Sequence, residues 1–154
     1  MSGEKENILV SACLLGVNCR YDGKNGMQES IKELMENYNL IPVCPEQLGG
    51  LQTPREPAEQ IDRGKTGDIK GIRVVNKSGT DVTDSFVKGA KETLKLARLY
   101  GCKRAILKER SPSCGHGWIY DGTFSGTKVL GSGVTARLLE ENGILVSGET
   151  DNFR

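Results

Sequence analysis

The sequence predicts an α/β fold, a three-layer Rossmann-like sandwich with a mostly parallel sheet and a small peripheral hairpin. Short apolar runs alternate along the chain with segments of helical periodicity, which is the pattern of a parallel sheet covered by helices. A length of 154 residues suits one hydrophobic core. We therefore expect residues 1–154 to form a single domain.

The first elements read as strand, helix, strand. Residues 7–12 are a short apolar run and predict a buried strand. A polar capping pattern then precedes residues 27–38, whose apolar side chains recur at helical spacing. Residues 40–43 predict a second strand. Because strand–helix–strand units cross over with one hand, both strand ends are expected at the same edge of the sheet.

The middle of the chain predicts a long loop and a hairpin. Residues 46–68 are rich in proline and glycine and show little hydrophobic periodicity, so they predict a loop. Residues 72–75 and 80–82 flank a turn of polar residues and predict the peripheral hairpin.

The last part returns to alternating helices and strands. Residues 83–100 predict an amphipathic helix, and residues 104–108 predict a third strand. A glycine-rich stretch over 115–131 predicts a loop or small hairpin. A helix within 134–143 and a final strand at 144–147 complete the predicted sheet and its covering layers.

Charge and hydropathy exclude several kinds of partner. Twenty-one lysine and arginine residues against 20 aspartate and glutamate residues give a formal net charge of +1. Without a strong overall field, neither DNA nor a membrane surface is an expected partner. The charged first residues precede only a short apolar run, so we expect no signal peptide or membrane span and a cytoplasmic location.

The cysteines are the strongest chemical signal. Five cysteines in a cytosolic chain argue for metal binding or thiol chemistry, because cytosolic thiols are kept reduced. Cys13, Cys44 and Cys114 each follow a predicted strand, so they should meet at the carboxyl edge of the sheet. Three thiolates without an obvious fourth partner suit a cluster or metal with one open position.

The other two cysteines have different interpretations. Cys19 lies six residues after Cys13 in a loop, where it could be a fourth ligand, a resolving thiol or a simple loop residue. Cys102 begins a strand at the opposite edge of the sheet and is expected in the core.

Several motifs in order resemble one known family, the TudS-like thiouracil desulfidases, first catalogued as a domain of unknown function. The resemblance extends over residues 7 to 148. The matching blocks are SACLLG at 11–16, CRYDG at 19–23, PVCPEQLGGL at 42–51, TPR at 53–55 and KERSPSCG at 108–115.

The resemblance implies a cofactor and a substrate class. It implies a [4Fe–4S] cluster held by Cys13, Cys44 and Cys114, with the fourth iron free to take sulfur from a thiolated pyrimidine. Some family members carry an additional RNA-binding domain and act on tRNA. We expect this chain to act instead on a small thiolated base or nucleotide.

The resemblance also implies acid/base residues, Glu46 and Ser111, with Ser113 as the alternative serine. Read on its own, Glu46 lies two residues beyond Cys44 and can reach the same cavity, although it could equally pair with Arg55. The expected substrate contacts are Arg20, Tyr21, Arg55 and Ser113.

We therefore expect a non-redox desulfidase that replaces C=S by C=O and releases sulfide. Two alternatives stay open at this point: thiol redox catalysis that uses Cys13 and Cys19, and a non-catalytic iron–sulfur sensor or carrier.

Overall fold

The computed structural model describes residues 4–64 and 69–151 of the chain. Two 3-10 turns, Ala12–Leu15 and Glu33–Glu36, follow the first strand and the first helix. The helices and strands in chain order are β1 (Glu6–Ser11), α1 (Glu29–Lys32), β2 (Tyr38–Val43), α2 (Pro45–Leu48), β3 (Ala58–Arg63), β4 (Ile72–Asn76), α3 (Thr83–Leu99), β5 (Arg104–Leu107), β6 (Trp118–Tyr120), β7 (Lys128–Leu130), α4 (Val134–Glu141) and β8 (Leu145–Gly148).

The central sheet has four parallel strands in the order β2-β1-β5-β8. β1 and β2 pair along their full lengths, which places Ser11 beside Val43 at the carboxyl edge. Ile8, Leu9 and Val10 of β1 are fully buried, as expected where both faces of a parallel sheet are covered. The predicted α/β fold with a mostly parallel sheet is confirmed.

Each face of the sheet has its own hydrophobic core. On one face Leu9 packs with Leu94 of α3 and Leu139 of α4. On the other face Ile8 packs with Ile31 of α1. Burying one such side chain contributes about 1.5–3 kcal/mol, so the two cores hold the helical layers on the sheet.

The strand order creates a crevice at the carboxyl edge. From β1 the chain passes to β2 on one side, and it later returns to β5 on the other side of β1. In open α/β sheets, ligands bind outside the carboxyl ends of the strands at such a reversal. The loops after β1, β2 and β5 all reach this crevice.

Two glycines fix the position of α2. A Cβ atom added to Gly89 of α3 would overlap the carbonyl oxygen of Pro45, and one added to Gly49 would overlap that of Ser85. α2 and α3 therefore touch backbone to backbone. This contact holds the segment that directly follows Cys44.

The peripheral hairpin was predicted with the wrong partner. β4 pairs antiparallel with β3, which lies inside the expected 46–68 loop, rather than with residues 80–82. Only an isolated bridge joins Val75 to Asp81. The helix α2 also falls in that expected loop, and residues 65–68 lie outside the described residues.

Buried polar side chains explain why β3 was missed. Glu59 and Gln60 are buried although they are polar, so the strand shows no apolar alternation. Each bonds to distant backbone: Glu59 accepts from the amide of Gly122, and Gln60 donates to the carbonyl of Pro112. Such partners offset the cost of burying the Glu59 carboxylate and the Gln60 amide nitrogen, while Gln60 Oε1 is buried without a hydrogen-bond partner.

The first helix is shorter than predicted. The expected helix over 27–38 is one α-helical turn, Glu29–Lys32, followed by a 3-10 turn, and Tyr38 already begins β2. Asn25 accepts a hydrogen bond from the amide of Met27, which makes a local turn rather than the expected cap.

The remaining elements agree closely with the prediction. α3 ends at Leu99, and Gly101 follows with a φ of 63° that favours glycine. The glycine-rich stretch 115–131 contains the small hairpin β6–β7. Among residues 4–64 and 69–151, no helix combines the length and apolar character needed to cross a bilayer.

Candidate active site

One cavity of about 530 Å³ lies in the crevice at the carboxyl edge of the sheet. Cys13 enters it from the turn after β1, Cys44 from the residue after β2, and Cys114 from the loop after β5. Cys19 also lines this cavity. The parallel sheet therefore brings together the three cysteines that the strand pattern had placed at one edge.

Cys19 connects two of these thiols. It packs in one hydrophobic cluster with Cys13 and Cys44, and its interaction with the Cys13 thiol is the main reason that its pKa is raised to about 11. The Cys44 thiol also donates to the Cys19 carbonyl, with Sγ 3.6 Å from the oxygen. The contact with Cys19, followed by burial, raises the pKa of Cys44.

Cys114 has a different environment. Burial raises the pKa of its thiol to about 12, while hydrogen bonds from the hydroxyls of Ser11 and Ser111 act in the opposite direction. Ser111 Oγ also accepts from the backbone amides of Ser113 and Cys114, at 3.1 and 3.0 Å. Ser111 thus shapes the turn that presents Cys114 and contacts its sulfur.

Glu46 lines the cavity and is paired with Arg55. The guanidinium Nε of Arg55 donates to Glu46 Oε1 at 3.0 Å, and the Arg55 side chain is only 9% exposed. Nη1 donates to the Thr53 hydroxyl oxygen at 2.9 Å, and Nη2 donates to the Cys19 carbonyl oxygen at 3.0 Å. Every nitrogen of the group has a protein partner, and Arg55 holds Glu46 at the cavity that it also lines.

Of the four expected substrate contacts, Arg55 and two others reach the cavity, and Ser113 does not. Arg20 and Tyr21 both line it, and the Arg20 guanidinium lies 5.8 Å from the centroid of the Tyr21 ring. Ser113 is buried outside the cavity lining, and its hydroxyl shares a 2.7 Å hydrogen bond with Thr135. Ser113 therefore packs inside the loop, away from the cavity lining.

The sequence analysis missed the far wall of the cavity. Glu59 holds this wall because its Oε1 accepts from the amides of Gly122 and Phe124. No local sequence pattern predicts these contacts, because they join β3 to a loop more than sixty residues away in the chain. The lining residues of this wall that the sequence did not indicate are Pro57, Ala58, Glu59, Lys77, Phe124 and Gly126.

The donor set fits an iron–sulfur cluster. Within the described residues, no three histidine, cysteine, aspartate or glutamate side chains converge as they would on a single ion. Cysteines that hold a cluster can lie farther apart than the ligands of a single ion, because each cysteine binds a different iron. Soft thiols from three strand ends around a cavity match that requirement.

Comparisons with known proteins agree on this fold and family. The uncharacterized protein YbbK of Bacillus subtilis (strain 168) is 49% identical over 147 residues, which cover 94% of this chain and 96% of YbbK. A solved structure described as the [4Fe–4S]-dependent thiouracil desulfidase TudS matches with a TM-score of 0.82 at 44% identity, covering 94% of this chain and 91% of that one. The sequence model of the 2-thiouracil desulfurase family matches residues 8–151. The chain belongs to the 2-thiouracil desulfurase family.

Proposed function

We propose that the protein is a [4Fe–4S]-dependent desulfidase that converts a thiolated pyrimidine to its oxo form and releases sulfide. The observation that carries this proposal is the shared cavity of Cys13, Cys44, Cys114 and Glu46. It combines soft ligands with a carboxylate that can handle protons. The net reaction exchanges C=S plus water for C=O plus hydrogen sulfide and needs no electron donor.

Cys13, Cys44 and Cys114 would hold the cluster, because each is fixed by the end of a different strand. When bound, the cluster supplies a soft Lewis acid for the substrate sulfur at the iron without a cysteine. The hydroxyls of Ser11 and Ser111 support the thiolate of Cys114, since hydrogen bonds to an anionic sulfur stabilise it.

Glu46 is the proposed acid/base residue. Arg55 engages its Oε1, so we assign Oε2 to the attacking water. Glu46 accepts a proton from that water as oxygen bonds to the ring carbon. It then returns the proton through the ring nitrogen as the C–S bond breaks, so that C=O forms and both water protons leave with the sulfur as hydrogen sulfide. A carboxylate that moves one proton in both directions accounts for the non-redox exchange of sulfur for oxygen.

The outer residues of the cavity suit a flat, polar heterocycle. Tyr21 and Tyr120 offer aromatic surface at its edge, and Arg20 offers a guanidinium that is partly exposed. We assign substrate contact to Arg20 and Tyr21, and orientation of the water to Ser111. A cavity of about 530 Å³ suits a base or nucleotide, which supports a small-molecule substrate.

The cysteines also support the proposed location. All five cysteines are free thiols. Because the cytosol keeps thiols reduced, we propose that the protein works there.

The test is sulfide release by anaerobically prepared protein, measured across thiouracil, thiouridine and thiouridine nucleotides. We expect sulfide and the oxo product in equal amounts from cluster-loaded protein and none from cluster-stripped protein. Iron without turnover of any thiolated substrate would favour a sensor or carrier. Turnover of a thiol–disulfide substrate by iron-free protein would favour thiol redox catalysis through Cys13 and Cys19.

A further inference from the structure

The proposed function assigns no role to one of the thiols that line the cavity. Cys19 is 2% exposed and lines the cavity together with Cys13 and Cys44. The three cysteines pack in the same hydrophobic cluster, and the Cys44 sulfur lies 3.6 Å from the Cys19 carbonyl oxygen. Three cysteines packed together at one cavity are a different feature from a single buried cysteine.

The backbone holds Cys19 in this position from several directions. Its carbonyl accepts from Arg55 Nη2 at 3.0 Å, and its amide donates to the carbonyl of Val17 at 2.9 Å. The loop is closed behind it, because the amide of Gly26 donates to the Cys13 carbonyl at 3.0 Å. The backbone of Cys19 is therefore held beside Cys13 and Cys44 by bonds that do not involve a cluster.

We propose that Cys19 is the resolving thiol of the cluster-free site and forms a reversible disulfide with Cys13 or Cys44. This inference rests on the proposed function only in treating Cys13 and Cys44 as cluster ligands. A disulfide in this place blocks two ligands, so it prevents metal binding until it is reduced. It also protects both sulfurs from irreversible oxidation to sulfinic acid.

The chemistry balances with a hydroperoxide as the oxidant. The thiolate of Cys13 or Cys44 attacks one oxygen of hydrogen peroxide and becomes a sulfenic acid, and hydroxide leaves and is protonated to water. The Cys19 sulfur then attacks the sulfenic sulfur, and a second water leaves. Two thiols lose two electrons and two protons, and one peroxide is reduced to two waters.

Cys114 is not the expected partner in this exchange. It packs in a different hydrophobic cluster from Cys13, Cys19 and Cys44, and the hydroxyls of Ser11 and Ser111 act on its thiol. Cys102 lies in the core beside Leu94 and Ala97, away from the cavity lining. Of the five cysteines, two would be joined, which leaves three free thiols in the oxidised protein.

The test is disulfide mapping by mass spectrometry on cluster-stripped protein treated with one equivalent of hydrogen peroxide. We expect one disulfide that contains Cys19, with Cys13 or Cys44 as its partner, and three free thiols. Treatment with dithiothreitol followed by iron and sulfide should then restore the cluster absorbance. A disulfide that omits Cys19, or no disulfide at all, would overturn the proposal.

The variants Cys19→Ser and Cys102→Ser sharpen this test. Cys19→Ser keeps the size of the side chain but cannot form the disulfide, so peroxide should reduce the yield of reconstituted cluster several-fold relative to wild type. Cys102→Ser should recover like wild type. Equal recovery by all three proteins would contradict a protective role. No substrate is used, so these results do not depend on desulfidase activity, and the mapping on wild type stands even if Cys19→Ser misfolds.

Discussion

The two walls of the cavity are built in different ways. We call the strand-end segments 11–13, 43–46 and 108–114 the sheet wall, and the segments 19–21, 55–59 and 120–126 the outer wall. Parallel strand pairing fixes the sheet wall, which carries Cys13, Cys44, Cys114, Glu46 and Ser111. No strand of the central sheet forms the outer wall, and single side chains bonded to distant backbone help to hold it.

The two walls are therefore expected to contribute differently to the proposed reaction. The sheet wall supplies the groups proposed to bind the cluster and to move the proton. The outer wall depends on contacts such as Arg55 with the Cys19 carbonyl and Glu59 with the Gly122 amide. Substitutions in the sheet wall should therefore abolish the reaction, whereas those in the outer wall should weaken it.

The largest effect is expected for the proposed ligands. Replacing Cys13, Cys44 or Cys114 by serine removes a soft ligand that iron needs, so each variant should lose the cluster absorbance and bound iron. Iron and sulfide analysis of anaerobically prepared protein measures this loss. Cys102→Ser is the matched control and should retain full occupancy, and loss of iron in that variant would refute the ligand assignment.

The next largest effect is expected at Glu46. Glu46→Gln keeps size and hydrogen bonding but removes the capacity to accept a proton, so the rate of sulfide release should fall by about 10²–10⁴-fold. The comparison requires equal iron content in both proteins.

Glu59→Gln is the matched control for that substitution. Glu59 also lines the cavity, but its carboxylate accepts backbone amides, and a glutamine oxygen can still do so. We expect a far smaller loss there. A near-wild-type rate in Glu46→Gln at full cluster occupancy would remove Glu46 from the mechanism.

The same contrast explains what the sequence could predict. The sheet wall follows from local pattern, because apolar runs predict parallel strands and Cys13, Cys44 and Cys114 each come after one. The outer wall depends on pairs far apart in the chain. β3 was missed because its buried Glu59 and Gln60 are polar, and only the folded chain shows their partners.

The roles of individual site residues were also only partly predictable from the sequence. The family blocks identified Glu46 and Ser111, which lie in the cavity, but they could not distinguish Ser111 from Ser113. That distinction depends on the turn that buries one hydroxyl against Thr135. The pairing of Glu46 with Arg55, which the sequence analysis gave as an alternative role, is present in the structure.

An intermediate effect is expected at Arg55, the link between the two walls. Arg55→Gln loses the ion pair with Glu46, so kcat should fall on the order of tenfold with little change in KM, because misplaced acid/base groups slow the chemical step. The double variant with Glu46→Gln should lose little more than Glu46→Gln alone. Additive losses, or a rise in KM alone, would assign Arg55 to substrate binding instead.

The smallest effect is expected at Ser113. Ser113→Ala removes the hydrogen bond to Thr135, so the free energy of unfolding should fall by about 1–3 kcal/mol, because a buried hydroxyl loses its partner. Urea denaturation measures this change. Sulfide release should stay near wild type, whereas Ser111→Ala should lower it, and the reverse order would exchange the two serines.

The most direct test of the account is anomalous scattering at the iron edge from crystals grown and frozen under anaerobic conditions. The account predicts four irons in the cavity, three of them bonded to Cys13, Cys44 and Cys114, with the fourth iron facing Glu46. A cluster closed by a fourth bond to Cys19, or iron bound outside this cavity, would contradict the proposed open site.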